Sequence, residues 1–181
     1  SYENGKAIYD LAKENNVKVI SSSSLRYSQN LVEACNKVEK ATHMYCYGPL
    51  GIPPVGSGII WYGVHCFEML ERGMGLGAIS VEVKKDDAGA VAIVEYPDKR
   101  RGIVELTVGS YVYGGTLRGE NTNASYVVDG SMIYTEQLRE IAKFFKTGEA
   151  SISIDDALEV MNMLDAADKS YETGKAVKLK G

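Results

Sequence analysis

The sequence predicts an α+β fold: an open, largely antiparallel mixed sheet with helices packed on one face. Three observations predict it. Helical periodicity dominates both ends of the chain. Strict apolar alternation dominates the middle. Turn residues separate the alternating runs. The first 25 residues differ, because a helix followed by a short apolar run is the period of a doubly wound α/β unit. A boundary is therefore placed near Leu25, giving a leading segment 1–25 and a main domain 26–181.

Residues 3–15 read as a helix with Ile8, Leu11 and Ala12 on its inner face. Asn15-Asn16 is a plausible stop, since Asn tolerates the left-handed conformation. Val17-Lys18-Val19-Ile20 reads as a short buried strand. Ser21–Ser24 then turns into a helix from Tyr27 to about Lys40, for which Ser28 is a candidate N-cap. Thr42–Tyr47 has strand composition. Residues 48–58 hold four Gly and three Pro and must be a loop. Residues 61–72 form a helix with Val64, Phe67, Met69 and Leu70 turned inward.

Strands follow at 78–84, 91–96, 102–113 and 116–121, with a further one near 126–128, arranged as a meander. Two helices close the chain. The first, 136–145, carries Leu138, Ile141, Ala142 and Phe145 inward. The second, 153–172, opens on the capping pattern Ser153-Ile154-Asp155-Asp156 and ends at Gly174.

Composition narrows the function. The formal net charge of −4 offers nothing to nucleic acid or an anionic membrane. No apolar run approaches the roughly 18 residues of a membrane span. The three cysteines, Cys35, Cys46 and Cys66, suit free thiols in a reducing compartment, hence a cytoplasmic protein. No metal site is expected, because His65-Cys66 and His43…Cys46 lack further partners at ligand spacing. Tyr outnumbers Phe twelve to three. Such a sheet suits an interface or a carbohydrate-facing wall, or equally ordinary half-exposed strands.

Four stretches, taken in order, resemble the glucose–fructose oxidoreductase / inositol dehydrogenase (Gfo/Idh/MocA) family. They are VKVISSSSLRY at 17–27, GIIWYGVHCFE at 58–68, IAKFFKTG at 141–148 and LDAADKSYETGKAV at 164–177. The resemblance implies that 1–25 is the last helix and strand of a Rossmann domain. It implies that 26–181 is a C-terminal substrate and oligomerisation domain. It implies NAD or NADP as cofactor, bound mainly outside this chain, and a sugar, polyol or related hydroxy substrate. It also implies a homo-oligomer formed through the exposed sheet face. The family's catalytic Lys and its glycine fingerprint fall upstream of residues 3–15, so the chain alone is expected to be inactive. Gly73-Met74-Gly75-Leu76-Gly77 fails the GxGxxG spacing and reads as a loop.

His65 matches the family histidine and is the catalytic candidate, because imidazole exchanges a proton near neutrality. Read without the resemblance, it is a helix-start His satisfied by backbone. The family's Asp four residues earlier is replaced here by Trp61, which can pack, stack on a sugar ring or donate its N–H. Trp61, Tyr62 and Arg26 are the substrate-binding candidates. Tyr62 reads equally as core, and Arg26 equally as one half of a linker ion pair. Glu68 reads as an i,i+4 partner of Arg72, and His43 as structural. The competing functional class is a non-catalytic sugar-sensing or protein-interaction module of the same fold, which Trp61 keeps open.

Overall fold

The computed structural model describes residues 1–51 and 53–181. Helix α1 (Tyr2–Glu14) is followed by an extended segment and a 3-10 turn at Ser24–Tyr27. Then come α2 (Gln29–Lys37), β1 (His43–Pro49), α3 (Gly58–Trp61) and α4 (Gly63–Met74). Strands β2 (Ser80–Asp86), β3 (Gly89–Glu95), β4 (Arg101–Thr107), β5 (Gly114–Arg118) and β6 (Asn123–Val127) follow. Helices α5 (Ile133–Thr147) and α6 (Ile154–Thr173) and the short β7 (Val177–Lys178) end the chain.

The seven strands form one open sheet in the order β6-β5-β1-β4-β3-β2-β7. Every pairing is antiparallel except β1 with β4. The expected α+β fold with a mixed sheet is therefore present. The meander is not continuous, however. The alternation expected across 102–113 stops at Thr107, and β1 inserts between β4 and β5. Periodicity reports a strand's faces and not its neighbours, so this insertion could not be read from the pattern.

One face of the sheet is covered. Met44, Cys46, Val81, Val83, Val94, Val104, Leu106 and Leu117 point into a core shared with Phe67, Met69 and Leu70 of α4 and Val160, Met163 and Ala167 of α6. The other face carries the alternate residues. The register aligns Thr116, Tyr45, Ile103 and Ile93 in one row across β5, β1, β4 and β3. These side chains are half-buried.

Helix ends follow the sequence chemistry. Asn16 adopts a φ of 53° after α1, and Gly148 and Gly174 end α5 and α6 in the left-handed conformation. Ser153 and Asp156 form a reciprocal capping box. Ser28 precedes α2 but makes no capping hydrogen bond.

Three expectations fail. Residues 17–20 join no ladder and Val17 is exposed, because the sheet offers them no neighbouring strand. Of the inner face expected on α1, Ala12 is buried while Ile8 and Leu11 are exposed. Helix α5 buries Ile133 but leaves Leu138 and Phe145 exposed. Amphipathic periodicity predicts a helix that wants a partner; it does not place one against it. Ile52, in the expected loop 48–58, lies outside the described residues.

The C-terminal helix is tied to the sheet by polar contacts as well as by its apolar face. Ser170 is fully buried. Its Oγ accepts from the Val83 N–H at 2.8 Å and donates to the Lys175 carbonyl at 2.7 Å. Replacing Ser170 by Ala leaves both backbone groups unpaired in the core. A loss of about 2 kcal/mol is expected, read as a lower urea midpoint with unchanged slope.

Candidate active site

The site is seated by the start of α4. Tyr62 ends one short helix and Gly63 begins the next. A Cβ on Gly63 would come within 2.7 Å of the Leu106 side chain, so a larger residue there would displace Leu106 or lift α4 from β4. His65 follows two residues later in the first turn, with its side chain 30% exposed.

Three polar groups converge there. The His65 Nδ1 lies 3.2 Å from Glu68 Oε2 and 3.3 Å from Ser23 Oγ. Ser23 Oγ also donates to Glu68 Oε2 at 2.5 Å. A carboxylate beside Nδ1 favours the tautomer with a proton on that nitrogen. The Nε2 lone pair is then free to accept a proton or hydrogen bond from a ligand. The Tyr113 ring meets the imidazole edge-on at 5.8 Å and 82°. Burial holds the Tyr113 hydroxyl protonated, well above its ordinary range.

Aromatic surface lies one turn earlier. Trp61 is 54% exposed and Tyr62 38%, with their rings edge to face at 6.4 Å. Gly51 packs against both, since a Cβ there would meet the Trp61 ring at 2.6 Å and the Tyr62 ring at 2.9 Å. Gly51 of the loop after β1 thus lies against both rings.

Arg26 is placed differently from the other candidates. It is buried, and its Nη2 donates to Glu71 Oε2 at 2.5 Å. The guanidinium is committed to the linker ion pair, the second of its two sequence readings. Glu68 pairs with His65 and Ser23, not with Arg72 as its i,i+4 spacing suggested. His43 Nδ1 lies 3.1 Å from the Thr42 hydroxyl, in keeping with a structural role.

Sequence reasoning missed Ser23, Tyr113 and Glu71. Nothing in a run of four serines singles out Ser23, and the bends after Thr107 bring in Tyr113. The i,i+3 spacing of His65 and Glu68 on one helix was a usable signal.

Chemistry outside this cluster is limited. Cys46 and Cys66 are buried, and burial pushes the Cys46 thiol up to about 12. Among the described residues, no group of three or more His, Cys, Asp or Glu is placed to hold a metal ion. The glycine loop after α4 does not fit a dinucleotide phosphate. It leads into a strand, and the Gly77 and Ala78 N–H groups already donate to Glu159 at 2.8 and 3.0 Å. An anion cradle whose donors are filled by a carboxylate would repel a second anion.

No family model matches the chain, and no curated protein matches it by sequence. Solved structures do match. GenD2 from gentamicin A biosynthesis, determined in complex with NAD, superposes with a TM-score of 0.85 at 16% identity, covering 100% of this chain and 69% of that one. The myo-inositol dehydrogenase of Lactobacillus casei, in complex with NAD(H) and myo-inositol, gives 0.83 at 13% identity, over 100% and 68%. This is the fold of the inositol dehydrogenases. The scyllo-inositol dehydrogenase of the same organism, with NAD(H) and scyllo-inositol, gives 0.79 at 11% identity, over 98% and 70%. The resemblance first read from four motifs thus extends to the backbone of nearly the whole chain.

The Arg26–Glu71 pair generates a pH prediction. Burial pushes the Glu71 carboxyl from 4.5 up to about 8; Arg26 opposes the rise, and Asp156 and Glu159 add to it. Between those two values the folded state holds a proton that the unfolded chain has released. The stability from this group is full below 4.5 and is lost as pH rises through about 8. Glu71→Gln is expected to flatten this slope, seen by comparing urea midpoints on either side of the window.

Proposed function

We propose that this chain is the substrate-binding and oligomerisation part of an NAD- or NADP-dependent dehydrogenase acting on a sugar, polyol or related hydroxy compound. The observation that carries this reading is the Ser23–Glu68–His65 cluster on the fold of the inositol dehydrogenases. The nicotinamide cofactor supplies hydride transfer and is held mainly by residues outside this chain. The segment 1–25 belongs to that cofactor domain, and 26–181 forms the substrate domain.

Within this reading His65 is the catalytic residue. Its Nε2 holds the substrate hydroxyl and takes or returns its proton. Glu68 positions the ring and stabilises the imidazolium that results. Trp61 and Tyr62 offer ring faces on which a sugar or cyclitol can stack. Arg26 acts at a distance, by holding the linker turn on Glu71. Trp61 leaves no carboxylate four residues before His65; here Glu68, one turn after it on α4, brings its carboxylate to 3.2 Å from the imidazole.

The uncovered sheet face supports self-association. Tyr45, Ile93 and Ile103 lie in one row on it, and Val91 and Val127 are exposed. Helices long and apolar enough to cross a membrane are absent among the described residues. A cytoplasmic homo-oligomer is the assembly proposed.

The second reading is a sensing module that binds sugar without turning it over. Trp61 favours it, because an indole cannot relay a proton as a carboxylate does.

The deciding experiment titrates the full-length parent with NADH and NADPH, with this chain as control, and then screens hydroxy substrates. Cofactor binding by the parent alone, with turnover, supports the enzyme. In that parent, His65→Ala is expected to lower kcat/KM by roughly 10²–10⁴. Glu68→Gln is expected to lower kcat less and to shift the acidic limb of the pH profile, which a purely structural role would not do. Binding without turnover would favour the sensor, and binding by neither would remove the cofactor from the account. For assembly, Ile93→Glu is expected to convert the oligomer to a monomer in sedimentation analysis; an unchanged mass would remove the sheet face as the interface.

A further inference from the structure

The linker turn meets α4 at two points with matching spacing. Ser23 Oγ donates to Glu68 Oε2, and three residues on Arg26 Nη2 donates to Glu71 Oε2, each at 2.5 Å. Ser23 and Arg26 are one 3-10 turn apart, and Glu68 and Glu71 are one turn apart on α4. The second contact is a buried ion pair. It anchors the turn and thereby holds Ser23 beside His65.

Ser23 stands at the N-cap position of the 3-10 turn. A serine there ordinarily accepts from the first backbone N–H groups of its own helix. Ser23 makes no such bond, and its hydroxyl is turned to α4 instead. A hydroxyl has one proton to give. The separation of 2.5 Å from Glu68 Oε2, against 3.3 Å from His65 Nδ1, puts that proton on the carboxylate side. A lone pair of Ser23 Oγ is then left for Nδ1, and Glu68 Oε2 stands 3.2 Å from the same nitrogen. Two acceptors beside one ring nitrogen require the proton on that nitrogen. The arrangement also rules out Ser23 as a nucleophile activated by this histidine. Serine and carboxylate share one ring nitrogen here, whereas activation needs them on opposite ones.

We propose that Ser23 is a positioning residue for His65, holding the neutral imidazole with its proton on Nδ1. Ser23 supplies the second acceptor and, by donating to Glu68, fixes the carboxylate that is the first. It reaches the site from the segment 1–25, so the segment that precedes the substrate domain completes the site. What the tautomer serves rests on the dehydrogenase reading: there the lone pair left on Nε2 takes the substrate proton.

The test is NMR of the imidazole nitrogens in the 181-residue chain, at a pH where both rings are neutral. The chain has two histidines, and the spectrum of His43→Asn identifies the signals of His65. Nδ1–H is expected to predominate at His65, the reverse of a histidine free in water. Ser23→Ala is expected to shift the tautomer ratio severalfold toward Nε2–H. Ser23→Thr, which keeps the hydroxyl, is expected to restore it. Should Ser23→Ala not fold, Ser23→Cys keeps the shape with a weaker donor and is expected to shift the ratio the same way. In a parent that turns over, Ser23→Ala is expected to lower kcat severalfold with KM little changed. Predominant Nε2–H in the wild-type chain, the wild-type ratio in folded Ser23→Ala, or wild-type kcat in that variant would overturn the proposal. The tautomer is read without cofactor or turnover, so it can fail while the dehydrogenase reading stands, and stand while that reading fails.

Discussion

Helix α4 lies on the sheet with glycines at the contact, and most of the structure depends on that close approach. Gly63 faces Leu106, and Gly102 of β4 faces Leu70. A methyl group at either position would come within about 2.7 Å of its neighbour. The leucine or the helix would then have to shift within a filled core, at a packing cost to Phe67, Met69 and Leu70. His65 and Glu68 ride on the same helix. The spacing that fills the core therefore also fixes where the imidazole stands relative to Ser23 and Tyr113.

The polar interior follows a similar economy. Arg26 and Glu71 join the linker turn to α4, Ser170 joins α6 to β2, and Glu159 clamps the loop after α4. Each places a charge or hydroxyl where a backbone or guanidinium donor would otherwise be unpaired. Burial raises the Glu71 carboxyl to about 8. Its burial converts a tie between elements into a pH-dependent one.

The uncovered apolar surfaces differ in kind. The open sheet face is continuous, with its alternate side chains set by strand register. The apolar residues of α1 and α5 are separate stripes, with Ile8 and Leu11 on one and Leu138 and Phe145 on the other. Periodicity made both helices, while packing within this chain used only part of each. The solved dehydrogenases extend beyond the matched region by about 30% of their length.

The sequence by itself determined the element types and their ends. Helical spacing placed α1, α4 and α6, alternation placed β2 and β3, and the capping box and Gly174 bounded α6, because these depend on neighbours within a few residues. It also singled out His65, through the resemblance carried by residues 58–68. Tertiary structure alone decided that β1 would lie parallel to β4, that residues 17–20 would join no sheet, and that Arg26 would be consumed by Glu71. It also decided that Ser23 and Glu68 would meet at the imidazole. Each of these joins residues far apart in the chain, and a periodic pattern states which face a residue turns inward but never what it will find there.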